Sequence, residues 1–132
     1  MRLDTQMQET SSEMRREAQA LVDEWARTFN TGSVADLAGF YAPDARIVPP
    51  GRSTLIGANA ICAYFADIRA QGFRDYVVNF GDVFARDASL VASGRWTLRG
   101  VGSSGPQLYH GNWLNVLEHG PTGWLIAVHM WN

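Results

Sequence analysis

The sequence predicts an α+β fold in which three N-terminal helices pack on one face of a strongly curved antiparallel sheet. Three observations carry this. Met14, Ala18, Leu21, Val22, Trp25 and Phe29 recur at spacings of three and four, which makes one apolar stripe on a long helix. After Gly72 the hydrophobic period changes to two, as in strands with unlike faces. Short turn-rich strings then separate the strand-like segments, so that neighbours run antiparallel.

The elements follow in chain order. Residues 1–8 carry no periodic pattern and read as a frayed tail, with a single domain over 9–132. Gly32 closes the first helix as a C-terminal cap residue does. Ser33 with Asp36 in the first turn opens a short second helix that ends near Tyr41, before Pro43. Arg46 to Val48 form a short strand, which Pro49-Pro50-Gly51 breaks because proline has no N–H to give a ladder. A third helix starts after Gly57, buries Ile61, Phe65 and Ile68, and closes at Gly72. Strands are expected over 74–86, 89–99, 107–118 and 124–132. They are about twice the usual length of about five or six residues, so the sheet must coil, with Gly81, Gly94 and Gly111 as bend or bulge positions.

Composition excludes several function classes. With 132 residues and 46% hydrophobic content, the chain suits one compact core. No apolar run of about 18 residues and no secretory leader is readable, so a cytoplasmic protein away from membranes is expected. All basic side chains are Arg; without lysine there is no Schiff-base or pyridoxal chemistry. A net charge of −2 without a basic cluster argues against nucleic-acid binding. Cys62 is the single cysteine and sits in a helical pattern as a small buried thiol. No Gly-rich phosphate loop follows a strand, so no cofactor is expected.

From Ala88 onward the only acid is Glu118, while all three histidines and four of the five tryptophans lie there. Centring one turn near Ser103 and the next near Pro121 sets Trp96 opposite His110, Asn112 opposite Met130 and Trp113 opposite His129. The helix-facing side then holds Gly94, Trp96, Leu98, His110, Asn112, Leu114, Val116, Trp124, Ile126, Val128 and Met130. The other side holds Arg95, Tyr109, Trp113, Leu125, His129 and Trp131, where Trp131 would cover Gly111. Three histidines spaced in this way, one in a turn and two on opposite faces, do not converge on a metal ion.

The order of elements, with the strings WARTFNTG at 25–32, YAPDA at 41–45, Gly57 followed by Ala60-Ile61 and Tyr64-Phe65, and GWLI at 123–126 leading to Trp131-Asn132, resembles the NTF2-like superfamily over residues 14–132. The ending is most similar to its SnoaL-like and DUF4440 branch, relatives of ketosteroid isomerases. The resemblance implies a cone-shaped fold that encloses a small-molecule pocket and often pairs into homodimers through the sheet face away from the helices. Carrying the isomerase positions across places Pro49 at the base, Trp25 at the helix-one tyrosine, Phe65 at the supporting tyrosine, and Asn112 or Leu114 at the strand acid. None of these can move a proton, so steroid isomerisation is rejected. Asp44 reads as a turn residue.

Two readings follow. In the first, Trp25, Phe29, Phe65, Trp96, Asn112, Leu114 and Met130 line an apolar pocket for a hydrophobic or polyketide-like molecule. His110 is then the candidate catalytic acid or base, because its unperturbed pKa of about 6.5 lies near working pH. Arg95, Tyr109, Trp113, Leu125, His129 and Trp131 would form the homodimer interface. In the second, the domain is a noncatalytic dimerisation or ligand-carrier module, a reading that a cavity filled by the chain's own aromatics would favour.

Overall fold

The computed structural model describes residues 2–132, with side chains described from Ser11 onward. Helix α1 spans Arg2–Thr31. It begins within the stretch where a tail is expected, and the side chains of that stretch lie outside the described residues. Its apolar stripe buries Ala18, Val22, Trp25 and Phe29. At its end the Gly32 N–H bonds the Thr28 carbonyl at 2.9 Å. A short 3₁₀ helix, Val34–Phe40, follows Ser33 and buries Leu37. Helix α2, Ala58–Ala70, buries Ile61 and Phe65 and ends in a turn that closes on Gly72. No described helix is long and apolar enough to cross a membrane.

The strands are β1 (Tyr41–Val48), β2 (Leu55–Ile56), β3 (Arg74–Arg86), β4 (Ser89–Gly102), β5 (Gly105–Gly120) and β6 (Gly123–Trp131), in the sheet order β2-β1-β6-β5-β4-β3. Their twist and length curve the sheet around the helices. The sequence places the four long strands closely, but β1 starts at Tyr41 rather than Arg46 and the two-residue β2 is not foreseen. β1 pairs in parallel with β6. β2, helix α2 and strands β3–β5 lie between the two in the chain and bring it back in the same direction.

The inter-strand register differs from the expected one, and the difference decides which side chains face the helices. The β4–β5 hairpin closes through a two-residue turn, Ser103-Ser104, that pairs Gly102 with Gly105, so Trp96 lies opposite Gly111 instead of His110. That single-residue slip turns all of β5 over. At the next hairpin Gly120 pairs with Gly123, and Ala127 is then left unpaired between Leu117↔Ile126 and Val116↔Val128. The Gly120↔Gly123 turn keeps Trp124 and Ile126 on the expected side, and the bulge reverses the end of β6. Consequently Trp113, Asn115, Leu117, His129 and Trp131 face the helices. His110, Asn112, Leu114, Val116, Val128 and Met130 alternate onto the outer face.

Two glycines permit the close packing this requires. A Cβ at Gly111 would run into the Asn132 carbonyl and the Trp96 ring, and one at Gly94 into the Asn79 carbonyl and the Trp113 indole. It is Trp96, not Trp131, that covers Gly111. Gly81 provides the bulge expected of it, between Phe80↔Gly94 and Asp82↔Ser93.

Candidate functional site

The interior of the cone is a cluster of rings contributed by every layer. Trp25 and Phe29 come from α1, Phe65 from α2, Tyr76 from β3, Trp96 from β4, and His129 and Trp131 from β6. Trp25 is the hub. Its ring stacks on Phe29 at 5.7 Å and meets Phe65, Tyr76 and His129 edge-on at 4.8, 5.3 and 5.7 Å. Such edge and offset contacts suit the aromatic quadrupole and fix ring orientation.

Through this apolar cluster runs one polar chain. Trp25 Nε1 donates to the Tyr41 hydroxyl at 3.0 Å, and the Tyr41 hydroxyl lies 2.9 Å from His129 Nδ1. Each member comes from a different element. Trp25 lies on the buried stripe of α1, Tyr41 opens β1, and His129 reaches the same point because the Ala127 bulge rotates the end of β6 inward.

Two small voids open on this cluster, each of about 10 Å³. One is walled by Trp25, Phe29, Phe65, Ile68, Tyr76, Leu98, His129 and Trp131. The other is walled by Val22, Trp25, Tyr76, Val78, Trp113, Asn115 and His129. They share Trp25, Tyr76 and His129 as walls. Asn115 Oδ1 and Trp131 Nε1 are buried without a hydrogen-bond partner. The Trp131 indole approaches the Tyr64 phenol closely enough to favour its ionised form slightly, yet outside hydrogen-bond geometry.

Tyr76 is positioned by an unusual strand start. Between the pairs Arg74↔Arg99 and Val77↔Thr97 the ladder is interrupted, and Asp75 there adopts a left-handed φ of 56°. The Asn30 side chain from α1 replaces the missing ladder partners: its Nδ2 donates to the Tyr76 carbonyl at 2.9 Å, and its Oδ1 accepts from the Tyr76 N–H at 2.8 Å. This clamp turns Tyr76 towards the cone.

Burial sets the electrostatics. The imidazole of His129 is held neutral, its pKa pushed down to about 3 by desolvation. Desolvation also pushes the Tyr41 and Tyr76 phenols well above their ordinary range. Tyr64, half-buried at the edge of the cluster, is pushed up to about 12 by burial, with the Arg52 guanidinium over its ring opposing that rise. No charged side chain lines either void. The interior therefore offers hydrogen bonds, but no group that changes charge near neutral pH.

Of the expected pocket residues, Trp25, Phe29, Phe65 and Trp96 lie in the cone cluster, whereas Asn112, Leu114 and Met130 lie on the outer face. There, with Ser93, Gly94, Arg95, Trp113 and Asn132, they line an open groove of about 390 Å³. His110 is also outside and exposed, with its Nδ1 3.5 Å from Arg95 at the limit of a hydrogen bond. Of the expected interface residues, Arg95 and Leu125 alternate outward. Trp113 and His129 are buried, Trp131 packs on Phe65 and Trp96, and Tyr109 turns inward against Phe73. The slip at the β4–β5 turn and the bulge at Ala127 together exchanged the β5 and terminal β6 members of the two sets. Sequence reasoning also missed Tyr41, Tyr76 and Asn115. The available signal was Asn115 on the same strand face as Trp113. Among the described residues no three His, Cys, Asp or Glu side chains gather as a metal site.

Comparison with known proteins fits this geometry. The family model described as SnoaL-like domain matches residues 22–129. No curated protein matches the sequence. Among solved structures, one provisionally assigned as a calcium/calmodulin dependent protein kinase II association domain, from Xanthomonas campestris, is 27% identical with a TM-score of 0.74, over 88% of this chain and 84% of its own. An NTF2-like protein with a cystatin-like fold from Novosphingobium aromaticivorans is 16% identical with a TM-score of 0.77, over 98% and 86%. A Catenulispora acidiphila structure in complex with S-DNPA is 18% identical with a TM-score of 0.75, over 91% and 92%.

Proposed function

The chain belongs to the SnoaL-like domain family, and on that premise we propose that it is a small-molecule-binding domain whose site is the aromatic interior of the cone. The observation that carries this is the buried Trp25–Tyr41–His129 chain ending on the wall shared by both voids. An apolar enclosure with a few orienting polar groups is the usual make-up of a ligand site. Buried polar atoms without partners, as at Asn115 and Trp131, are rare in folded proteins and require a reason. Each void has room for about one water molecule, so a ligand enters by displacing a ring of the shared wall of Trp25, Tyr76 and His129.

A nitrogen-15 chemical-shift titration with small aromatic molecules tests the reading. Shifts centred on the side chains of Trp25, Trp131 and His129 are expected. Shifts confined to Arg95 and Asn112 would move the site to the outer groove, and no shifts at all would remove it. Enzymatic acid–base chemistry by His110 would have to take place on the exposed outer face beside Arg95, because the imidazole lines neither the interior voids nor the outer groove.

The cone's filling by its own rings favours a second reading, a noncatalytic dimerisation module. In it the outer face, with Val91, Leu114, Val116, Val128 and Met130 around Arg95, pairs with a second copy. Light scattering across a dilution series distinguishes dimer from monomer.

A further inference from the structure

We propose that the cone interior selects a neutral, planar molecule bearing a hydrogen-bond acceptor, of which an aryl ketone is the simplest form, and holds that acceptor against the Nε2–H of His129. The inference rests on the ligand-site reading above and narrows it to a chemical class.

The hydrogen-bond inventory locates the proton. An indole N–H can only donate, so the Tyr41 oxygen accepts from Trp25 Nε1. The Tyr41 proton then has one partner, His129 Nδ1. Were Nδ1 the protonated nitrogen, Tyr41 would accept twice and its own O–H would be buried without an acceptor, an arrangement penalised by the full desolvation of that group. Nδ1 is therefore the acceptor and the ring proton sits on Nε2, the tautomer being set by the bond at the other nitrogen. Nε2 has no bonding partner among the described residues, and the ring lines both voids.

The surroundings specify the rest of the ligand. An ion would lose its hydration with no counter-charge on the walls, a severe penalty in an apolar interior. A neutral acceptor loses little and gains the waiting donor. The walls are ring faces and edges, with Phe65 and Tyr76 set edge-on to Trp25, so a molecule that takes the place of one ring among them is held best if it is itself flat. Tyr41 is on this account a positioning residue: it acts on the ligand only by fixing which nitrogen of His129 carries the proton.

Chemical-shift titrations at neutral pH with acetophenone, ethylbenzene and benzoate separate the claims. Acetophenone is expected to bind about tenfold more tightly than ethylbenzene, the effect of about one net hydrogen bond, and benzoate not to bind. Equal affinity for acetophenone and ethylbenzene, or binding of benzoate, overturns the inference while leaving the ligand site standing. Failure of all three to bind overturns the site and the inference together. In Tyr41→Phe the preference for the ketone should shrink towards unity while ethylbenzene affinity is unchanged; a preserved preference removes Tyr41 from the account. Should that variant not fold, the nitrogen-15 resonances of the His129 ring in the unaltered protein decide the matter. A protonated Nε2 supports the proposal and a protonated Nδ1 sinks it.

Discussion

The Tyr41 hydroxyl sits 2.9 Å from Nδ1 of His129 although 88 positions separate the two residues in the chain. The contact joins the parallel pair β1 and β6 beneath the hub ring of Trp25, and it is the only polar chain crossing the ring cluster among the described residues.

Removing its central hydroxyl should be costly. Tyr41→Phe keeps the ring but leaves the Trp25 N–H and His129 Nδ1 without partners in a dry interior. A loss of about 2 to 4 kcal/mol in urea unfolding is expected. A loss below about 0.5 kcal/mol would mean that water replaces the hydroxyl.

Acid should destabilise the fold through His129. Its folded pKa of about 3 lies below the unfolded value of about 6.5. The unfolded state therefore binds the extra proton between those values. The neutral ring's contribution is fully present above about pH 6.5 and is lost as pH falls, by at most about 1.4 kcal/mol per pH unit. Titratable neighbours of the ring, Tyr41 and Tyr76, stay protonated throughout this window. His129→Phe should flatten the dependence between about pH 6.5 and 4.5 relative to the unaltered protein, as followed by denaturant midpoints.

The exchanged faces predict opposite outcomes for two tryptophan-strand neighbours. Trp113→Ala removes a buried ring and should cost about 3 to 5 kcal/mol. Asn112→Ala, one residue away and exposed, should change stability by less than about 0.5 kcal/mol. Thermal melts of both variants check the register directly, since the reverse ranking would restore the alternative pairing.

Gly111→Ala should be poorly tolerated although it adds one methyl group. The new Cβ would press on the Asn132 backbone and the Trp96 ring, and neither is the free end of a flexible chain. Overpacking of this kind costs about 1 to 3 kcal/mol. Gly105→Ala, in an open turn with nothing near the new atom, tests backbone strain alone, because φ there is +110°.

Outer-face variants address self-association. Met130→Arg and Leu114→Glu place charge on a face that the structure leaves partly exposed. If a second copy covers this face, scattering mass should fall to that of a monomer with little change in melting temperature.

Much of the architecture was legible in local chemistry. The 3.6-residue stripe from Met14 to Phe29, the double proline at 49–50, the period change after Gly72 and the turn glycines each reflect interactions within a few residues, and the elements lie close to where those signals place them. The burial of the aromatic residues of the candidate site was legible for the same reason: Trp25, Phe29 and Phe65 sit on helical stripes that have to be buried somewhere. Trp96 also followed correctly, since its own strand was oriented properly.

The polar part of the site was not legible. Whether His110 or His129 faces the helices depends on half a residue in the centre of the Ser103-Ser104 turn and on one unpaired alanine at 127, and the alternating pattern of β5 places large side chains on both faces, so hydrophobicity does not choose between them. Sequence alone thus determined an α+β chain with an aromatic-rich interior. Tertiary structure decided that Trp113, His129 and Trp131 go inside and His110 outside, because strand register is fixed by the fit of whole faces against the helices, a non-local energy that no short window of sequence contains.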